Sequence, residues 1–101
     1  MRNYKVYVPN TAPSGTLESL QRNLTWVAGG RSDYKIEGSW HDKTDGMNIV
    51  VEDVTVQQYF IAEGTQELTF RAGLDLLIDE LHRLGEKSVL WTVSEEEVHY
   101  D

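Results

Sequence analysis

The stretch from residue 29 to residue 61 constrains the fold of this chain more than any other, because it alternates apolar and polar side chains around a turn. A strand with one buried face carries apolar residues at every second position. Such a set precedes the turn and consists of Tyr34, Ile36, Gly38 and Trp40. We therefore predict a long β-hairpin, in which this set faces the core and the residues between face solvent.

The second half of the hairpin contains a change of pattern. Apolar residues occupy odd positions from Met47 and even positions after Glu52-Asp53. A regular strand cannot change the face of its side chains in this way, so we predict a β-bulge or a break at Glu52-Asp53. As one straight strand, residues 47–61 would span roughly 50 Å at about 3.3 Å per residue, which also predicts a bend or two strands.

Two amphipathic helices flank the hairpin. The first is predicted from Thr16, as its N-cap, to Ala28, where a Gly-Gly pair ends it. The second is predicted from Thr65, again as the cap, to Leu84. Their apolar residues recur at helical spacing and form one stripe on each helix: Leu17, Leu20, Leu24 and Val27 on the first, and Phe70, Leu74, Leu77, Ile78, Leu81 and Leu84 on the second.

Alternating apolar residues near the two ends of the chain predict two further strands: Tyr4, Val6 and Val8 in the first, and Val89, Trp91 and Val93 in the last. The order β-α-β-β-α-β is the ferredoxin-like arrangement, an α+β fold. It has a four-stranded antiparallel sheet with two helices on one face, here with a long hairpin between the second and third strands. The 101 residues contain no linker or repeat, so residues 1–101 are predicted to form a single domain.

A series of short motifs runs along nearly the whole chain: a helix ending in Gly-Gly, a strand containing Glu37-Gly38-x-Trp40, a strand containing glutamate, and a closing Lys87-Ser88-Val89-Leu90. This series resembles a group of small uncharacterised bacterial and phage α/β-plait proteins. The resemblance implies a ferredoxin-like fold and a phage or prokaryotic origin. It implies no catalytic residue, because no activity is established for the group.

Charge and composition narrow the classes of partner. The chain has 17 acidic and 9 basic residues and a formal net charge of -8, which repels nucleic-acid phosphates and anionic membranes. We therefore expect no duplex nucleic acid and no membrane as partners. The absence of cysteine excludes disulfides and thiol chemistry. Neither a signal-peptide pattern nor a run of about 20 apolar residues is present, which predicts a cytoplasmic protein.

No grouping of residues in the sequence predicts catalysis, a cofactor or a metal site. Asp75, Asp79 and His82 share one face of the second helix, but this pattern is typical of a solvated polar surface. The loop Pro13-Ser14-Gly15-Thr16 opens the first helix, where free backbone N–H groups are able to bind a small anion, although plain N-capping explains the loop more simply. The chain is accordingly expected not to be an enzyme.

Eight residues are candidates for binding a partner or ligand: Arg31, Tyr34, Lys35, Trp40, His41 and Lys43 along the hairpin arm, and Trp26 and Leu76 on the outer sides of the helices. Loops at the tip of a rigid arm commonly carry binding groups. Trp26 lies opposite the apolar stripe of its helix, so either its ring is exposed and available to a partner, or the helix ends early and the ring folds back over the edge of the sheet. Leu76 forms a smaller apolar strip with Ala72 on the second helix.

The sheet face turned away from the helices is expected to be too apolar for water. Its predicted members are Tyr7, Val50, Leu90 and Tyr59 among Lys5, Lys35, Glu37 and Thr92. Pairing with a second copy of the chain would cover it, so we expect a homo-oligomer, with a symmetric homodimer favoured.

These observations leave three hypotheses for function. The first is a non-enzymatic, acidic binding or inhibitor protein that acts on a protein partner. The second is a protein that sequesters a small anionic ligand, such as a nucleotide-like signal, between subunits by stacking on Trp40 or Tyr34. The third is a cofactor-free enzyme of ferredoxin-like fold, for which His41 and His99 would be the available groups.

Overall fold

The structure, a computed structural model, describes residues 1–10, 14–41 and 49–97, with backbone only at residues 40, 41 and 49–51. Its elements, in chain order, are β1 (Arg2–Pro9), α1 (Gly15–Ala28), β2 (Ser32–His41), β3 (Ile49–Ile61), α2 (Thr65–Arg83) and β4 (Trp91–Glu95). The strands form one antiparallel sheet in the order β2-β3-β1-β4. The predicted ferredoxin-like fold is confirmed.

The core lies between the sheet and the two helices, on what we call the helix face of the sheet. Phe70 of α2 sits at its centre, with ring centroids 4.8 Å from Tyr4 of β1 and 5.0 Å from Tyr59 of β3. Such tilted and edge-on contacts add to the burial of the rings. The two helices approach closely at Gly73, where an added Cβ would lie 2.9 Å from Leu24 Cδ2.

The helix termini differ in part from the sequence prediction. The N-cap of α1 is Ser14, not Thr16, because its Oγ accepts a hydrogen bond of 3.1 Å from the backbone N–H of Leu17. Thr65 is the first residue of α2 and follows the N-cap Gly64, which has no side chain to form a capping bond. Gly29 ends α1 in the left-handed region at a φ of 84°.

The bulge or break predicted at Glu52-Asp53 is absent. β3 pairs with β2 in one unbroken register, from Ser32 opposite Gln58 to His41 opposite Ile49. The long strand does not need to fold back, because the molecule measures 48 Å along its longest axis. The change of parity therefore means that the apolar positions of one continuous strand switch from one face of the sheet to the other along its length.

The register also corrects the assignment of the β2 alternation to the core. Tyr34 lies opposite Val56, and Val56 lies opposite Tyr7, so these three residues share one face. That face points away from the helices, because the alternate residues Tyr4 and Tyr59 lie in the core. The apolar residues of β2 thus belong to the second face of the sheet.

We call this second surface the open face. Its central apolar members are Tyr7, Tyr34, Ile36, Val54, Val56 and Leu90. The prediction placed Tyr7 and Leu90 here correctly, but it was wrong for Tyr59, which is buried in the core. Lys35 and Glu37 also lie on the helix side of the arm rather than on the open face, because they alternate with Tyr34 and Ile36.

Candidate functional site

A cleft of about 510 Å³ lies on the open face, between the sheet and the turn that joins α2 to β4. We call it the sheet-face cleft. Its lining combines carboxylates, a lysine, a tyrosine and apolar groups: Tyr7, Pro9, Gly38, Ser39, Glu52, Val54, Gly85, Glu86, Lys87, Ser88 and Leu90. It therefore brings acidic side chains and aromatic surface together in one concave site.

The turn after α2 places Glu86 at this cleft. Gly85 has a φ of 107°, a left-handed conformation that glycine adopts without strain. The backbone N–H of Glu86 donates to the Leu81 carbonyl at 3.1 Å, and the Glu86 carbonyl lies 2.7 Å from His82 Nδ1. These bonds fix the turn to the end of α2, so the Glu86 side chain extends from a rigid base.

Glu52 reaches the cleft from β3, opposite Gly38 of β2. The glycine leaves room beside the carboxylate that a larger residue on β2 would fill. Partial burial raises the pKa of Glu52 above its ordinary value, and the negative charge of Glu86 raises this pKa further. The two glutamates thus form a pair whose charges repel each other in a partly desolvated site.

A second, larger cleft of about 630 Å³ lies along the outer flank of α1. We call it the helix-flank cleft, and its lining residues are Glu18, Gln21, Arg22, Thr25, Trp26, Gly29 and Arg31. Trp26 is 86% exposed, so its ring does not fold back over the edge of the sheet. The cleft follows the outer flank of α1 and ends at Arg31, just before β2.

Arg31 is held at the end of the helix-flank cleft by two neighbours. Its Nε lies 2.9 Å from Asp33 Oδ1, and its guanidinium lies near the Tyr59 hydroxyl. Burial raises the pKa of Tyr59, whereas the hydrogen bonds from Arg31 and from Thr25 oppose the rise. The Tyr59 hydroxyl itself donates to Gln57 Oε1 at 3.2 Å. Arg31 is therefore ordered before any ligand arrives.

The structure brings together two of the eight predicted binding residues, Arg31 and Trp26, in the helix-flank cleft. Tyr34 lies apart from them on the open face, and Leu76 is exposed on α2. Lys35 lies on the helix side of β2.

The remaining three predicted residues belong to the tip of the hairpin. Trp40 and His41 are described by backbone alone, opposite Val50 and Ile49. Lys43 lies outside the described residues.

Sequence reasoning missed the pair of Glu52 and Glu86. One signal for Glu52 was present, since it sits where the apolar parity of β3 changes and where packing explains the residues least. No local pattern marks Glu86, because its approach to Glu52 depends on the turn after α2.

Two further properties concern the described residues only. Among them, no three histidine, aspartate or glutamate side chains come together in a way that could hold a metal ion. Neither of their helices is long and apolar enough to cross a membrane.

No protein-family model matches the sequence, and no curated protein matches it. Solved structures do share its fold. A phage SAM lyase in complex with S-methyl-5'-thioadenosine is 17% identical, with a TM-score of 0.60 over 93% of this chain and 80% of the lyase chain. A phage SAM lyase in the apo state is 16% identical, with a TM-score of 0.56 over 92% of this chain and 78% of that chain.

The periplasmic divalent cation tolerance protein CutA from Archaeoglobus fulgidus is also similar. It is 11% identical, with a TM-score of 0.63 over 99% of this chain and 88% of CutA. At these identities the likeness shows the fold alone. It agrees with the resemblance to small bacterial and phage proteins that the sequence motifs indicated.

The expectation that this chain is not an enzyme is corrected by these comparisons. That expectation rested on the lack of a catalytic grouping in the sequence, yet a chain of the same fold is a SAM lyase, which is an enzyme. In a fold whose sites are assembled from separate strands and turns, the linear sequence does not display the grouping. Glu52 and Glu86, 34 positions apart, illustrate this.

Proposed function

We propose that this chain binds an adenosyl sulfonium compound of the S-adenosylmethionine type in the sheet-face cleft and cleaves it as a lyase. The observation that supports the proposal is the pair of Glu52 and Glu86 in one concave site, with the pKa of Glu52 raised by burial and by Glu86. Two repelling carboxylates favour a cationic ligand, since a positive charge between them relieves the repulsion. The bound thioadenosine of the phage SAM lyase supplies the ligand class.

The chemistry fits the charges of the site. Breaking a carbon–sulfur bond of a sulfonium returns the electron pair to sulfur and leaves a neutral thioether. The carbon fragment completes its valence by losing a proton or by bonding to its own carboxylate, so no second reactant is required. Because the positive charge disappears in this step, the carboxylates bind and orient the substrate, and the rate gain comes from holding it in a reactive geometry.

The test compares a charged ligand with a neutral one. We expect Glu52→Gln to weaken the binding of S-adenosylmethionine about tenfold or more and that of S-methyl-5'-thioadenosine less than about twofold, since only the first carries the sulfonium charge. Isothermal titration calorimetry measures both affinities, and chromatography measures the release of S-methyl-5'-thioadenosine from S-adenosylmethionine.

The matched control is Glu37→Gln, which removes the same charge from the helix side of the arm. An equal loss of binding for both ligands, an equal effect of the control, or the absence of binding and turnover by the unaltered chain would each contradict the proposal.

We further propose that a second copy of the chain covers the open face and borders the sheet-face cleft. Tyr34, Ile36 and Leu90 support this, since they are 40%, 38% and 59% exposed on a face where apolar residues form a continuous group. A protein partner of another kind and a cytoplasmic location stay predictions from the sequence.

The mass of the protein in solution tests whether a second copy of the chain covers the open face. Ile36→Lys places a charge in the middle of the open face and is expected to shift the mass by light scattering from that of an oligomer to that of a monomer. Leu68→Lys is the control, because Leu68 is 73% exposed on α2, outside this face. A monomeric unaltered chain, or an oligomer that Ile36→Lys leaves intact, would overturn this part.

A further inference from the structure

The helix-flank cleft combines three kinds of group that together recognise a flat, negatively charged molecule. Trp26 presents an indole ring that the protein itself leaves 86% exposed. Arg22, one turn earlier on α1, and Arg31, just after the helix, supply two guanidinium groups. Gln21 and Thr25 add polar side chains between them. Aromatic faces stack on planar rings, and guanidinium groups match phosphate and carboxylate oxygens.

The charges of this cleft differ from those of the chain as a whole. The formal net charge of the chain is -8, yet the cleft is lined by two arginines and one glutamate, Glu18. Arg31 is partly neutralised by Asp33, whereas Arg22 takes part in none of the ion pairs found among the described residues. The guanidinium of Arg22 is therefore available to bind a ligand, whereas the guanidinium of Arg31 is already positioned by Asp33.

The size of the cleft favours a small molecule over a protein segment. Its volume of about 630 Å³ lies within the range of about 300–1,000 Å³ that is usual for small-molecule sites. The cleft follows the flank of α1, and the largely exposed ring of Trp26 forms part of its lining. Arg22 and Arg31 lie on either side of Trp26 along the chain and line the same cleft, so an anionic group attached to a planar ring on the indole would have guanidinium groups on both sides.

From these observations we propose a second ligand site in the helix-flank cleft, which takes a mononucleotide: its base stacks on Trp26, and its phosphate binds Arg22 and Arg31. This site is separate from the sheet-face cleft, because the two share no lining residue. It does not depend on the proposed lyase activity.

The test uses the full chain and AMP as the probe, with binding followed by calorimetry and by tryptophan fluorescence. We expect saturable binding of AMP. Adenosine, which has the base but no phosphate, and inorganic phosphate, which has no base, should both bind more weakly. Arg22→Gln should weaken AMP binding about tenfold and leave adenosine binding within about twofold. Trp26→Ala should weaken both AMP and adenosine. Neither variant alters a core residue, and an unchanged melting temperature confirms that each is folded.

Two control variants show whether AMP binds in the helix-flank cleft or elsewhere on the chain. Lys35→Gln removes one positive charge from β2 outside the cleft and should leave AMP binding unchanged. Glu37→Gln, a change of charge on the helix side of β2 outside the cleft, should also leave AMP binding unchanged. The proposal is overturned by the absence of saturable AMP binding up to about 1 mM, by equal affinities for AMP and adenosine, or by a Lys35→Gln effect as large as that of Arg22→Gln.

Discussion

The two faces of the central sheet carry similar apolar side chains but have different cover. On the helix face, Tyr4 and Tyr59 are fully buried beneath α2. On the open face, Val56 is 1% exposed only because its neighbours flank it, and Tyr34 and Ile36 remain 40% and 38% exposed. Alternation in a strand therefore shows that one of its faces avoids water, but it does not show which layer provides the cover.

The difference follows from the position of β2 at the edge of the sheet. Two helices cover the central strands β1 and β3, and the long arm of β2 extends past them. The helix side of this arm consequently carries Asp33, Lys35 and Glu37, while its apolar side faces outward. Both candidate clefts draw residues from β2 or the segment just before it.

The largest effect is expected in the centre of the helix face. Phe70→Ala should lower the free energy of unfolding by about 3–5 kcal/mol, because Phe70 is fully buried between Tyr4 and Tyr59 and its removal leaves a cavity. Urea unfolding followed by circular dichroism measures the loss. Leu68→Ala on the same helix is the control, since Leu68 is 73% exposed and should change stability by less than about 0.5 kcal/mol. A loss below about 1 kcal/mol for Phe70→Ala would show that this packing is wrong.

A matched pair of valines compares the two faces directly. Val6 and Val56 are 0% and 1% exposed and lie on the helix face and the open face of adjacent strands. Truncation to alanine removes apolar groups worth roughly 1.6 kcal/mol at about 0.8 kcal/mol per methylene. Val6→Ala should cost more than this, about 2–3 kcal/mol, because the surrounding core collapses only in part.

Val56→Ala should cost less than Val6→Ala, about 1–1.5 kcal/mol, because the flanking Tyr7 and Tyr34 are free on their outer sides and can close over the gap. The same denaturant titration measures both variants. Equal costs at low protein concentration would mean that the open face is packed as firmly as the core, and would remove the distinction between the faces.

The order of elements could be predicted from the sequence because helix periodicity and strand alternation are local properties. The stripe around Phe70 and Leu74 and the alternation of Tyr4 and Val6 each indicate a single element with one buried side. Which face of the sheet carries the apolar side chains of β2 could not be predicted in this way, because it depends on the register that places Tyr34 opposite Val56. The same register removes the bulge that the parity change at Glu52 suggested.

The candidate sites depend still more on tertiary geometry. The exposure of Trp26 was predictable from the helical spacing of α1, and the arginine at position 31 was a reasonable candidate beside it. The approach of Glu86 to Glu52 was not predictable, because it requires both the left-handed Gly85 and the end of β1 beside the turn. The repulsion between these two carboxylates arises only because the fold brings β3 and the turn after α2 together.

The smallest expected effect concerns this repulsion. The pKa of Glu52 is raised in the folded chain by burial and by Glu86, so the folded state binds a proton there more tightly than the unfolded state does. The stability gained from protonation is therefore complete below the ordinary pKa of 4.5 and is lost as the pH rises through the raised value. Glu52→Gln cannot ionise and should be more stable than the unaltered chain at pH 7, by about 0.5 kcal/mol or less because the site is partly solvated.

This difference in stability between Glu52→Gln and the unaltered chain should shrink toward zero as the pH falls below about 4, where the side chain at position 52 is neutral in both proteins. Thermal unfolding between pH 3.5 and 7.5 measures this difference in stability. Glu37→Gln, at an exposed position on the helix side of the arm, is the control. A variant less stable than the unaltered chain at pH 7, or a difference that is constant with pH, would show that Glu86 does not act on Glu52. The open face would then lose the electrostatic feature that distinguishes it from an ordinary apolar sheet surface.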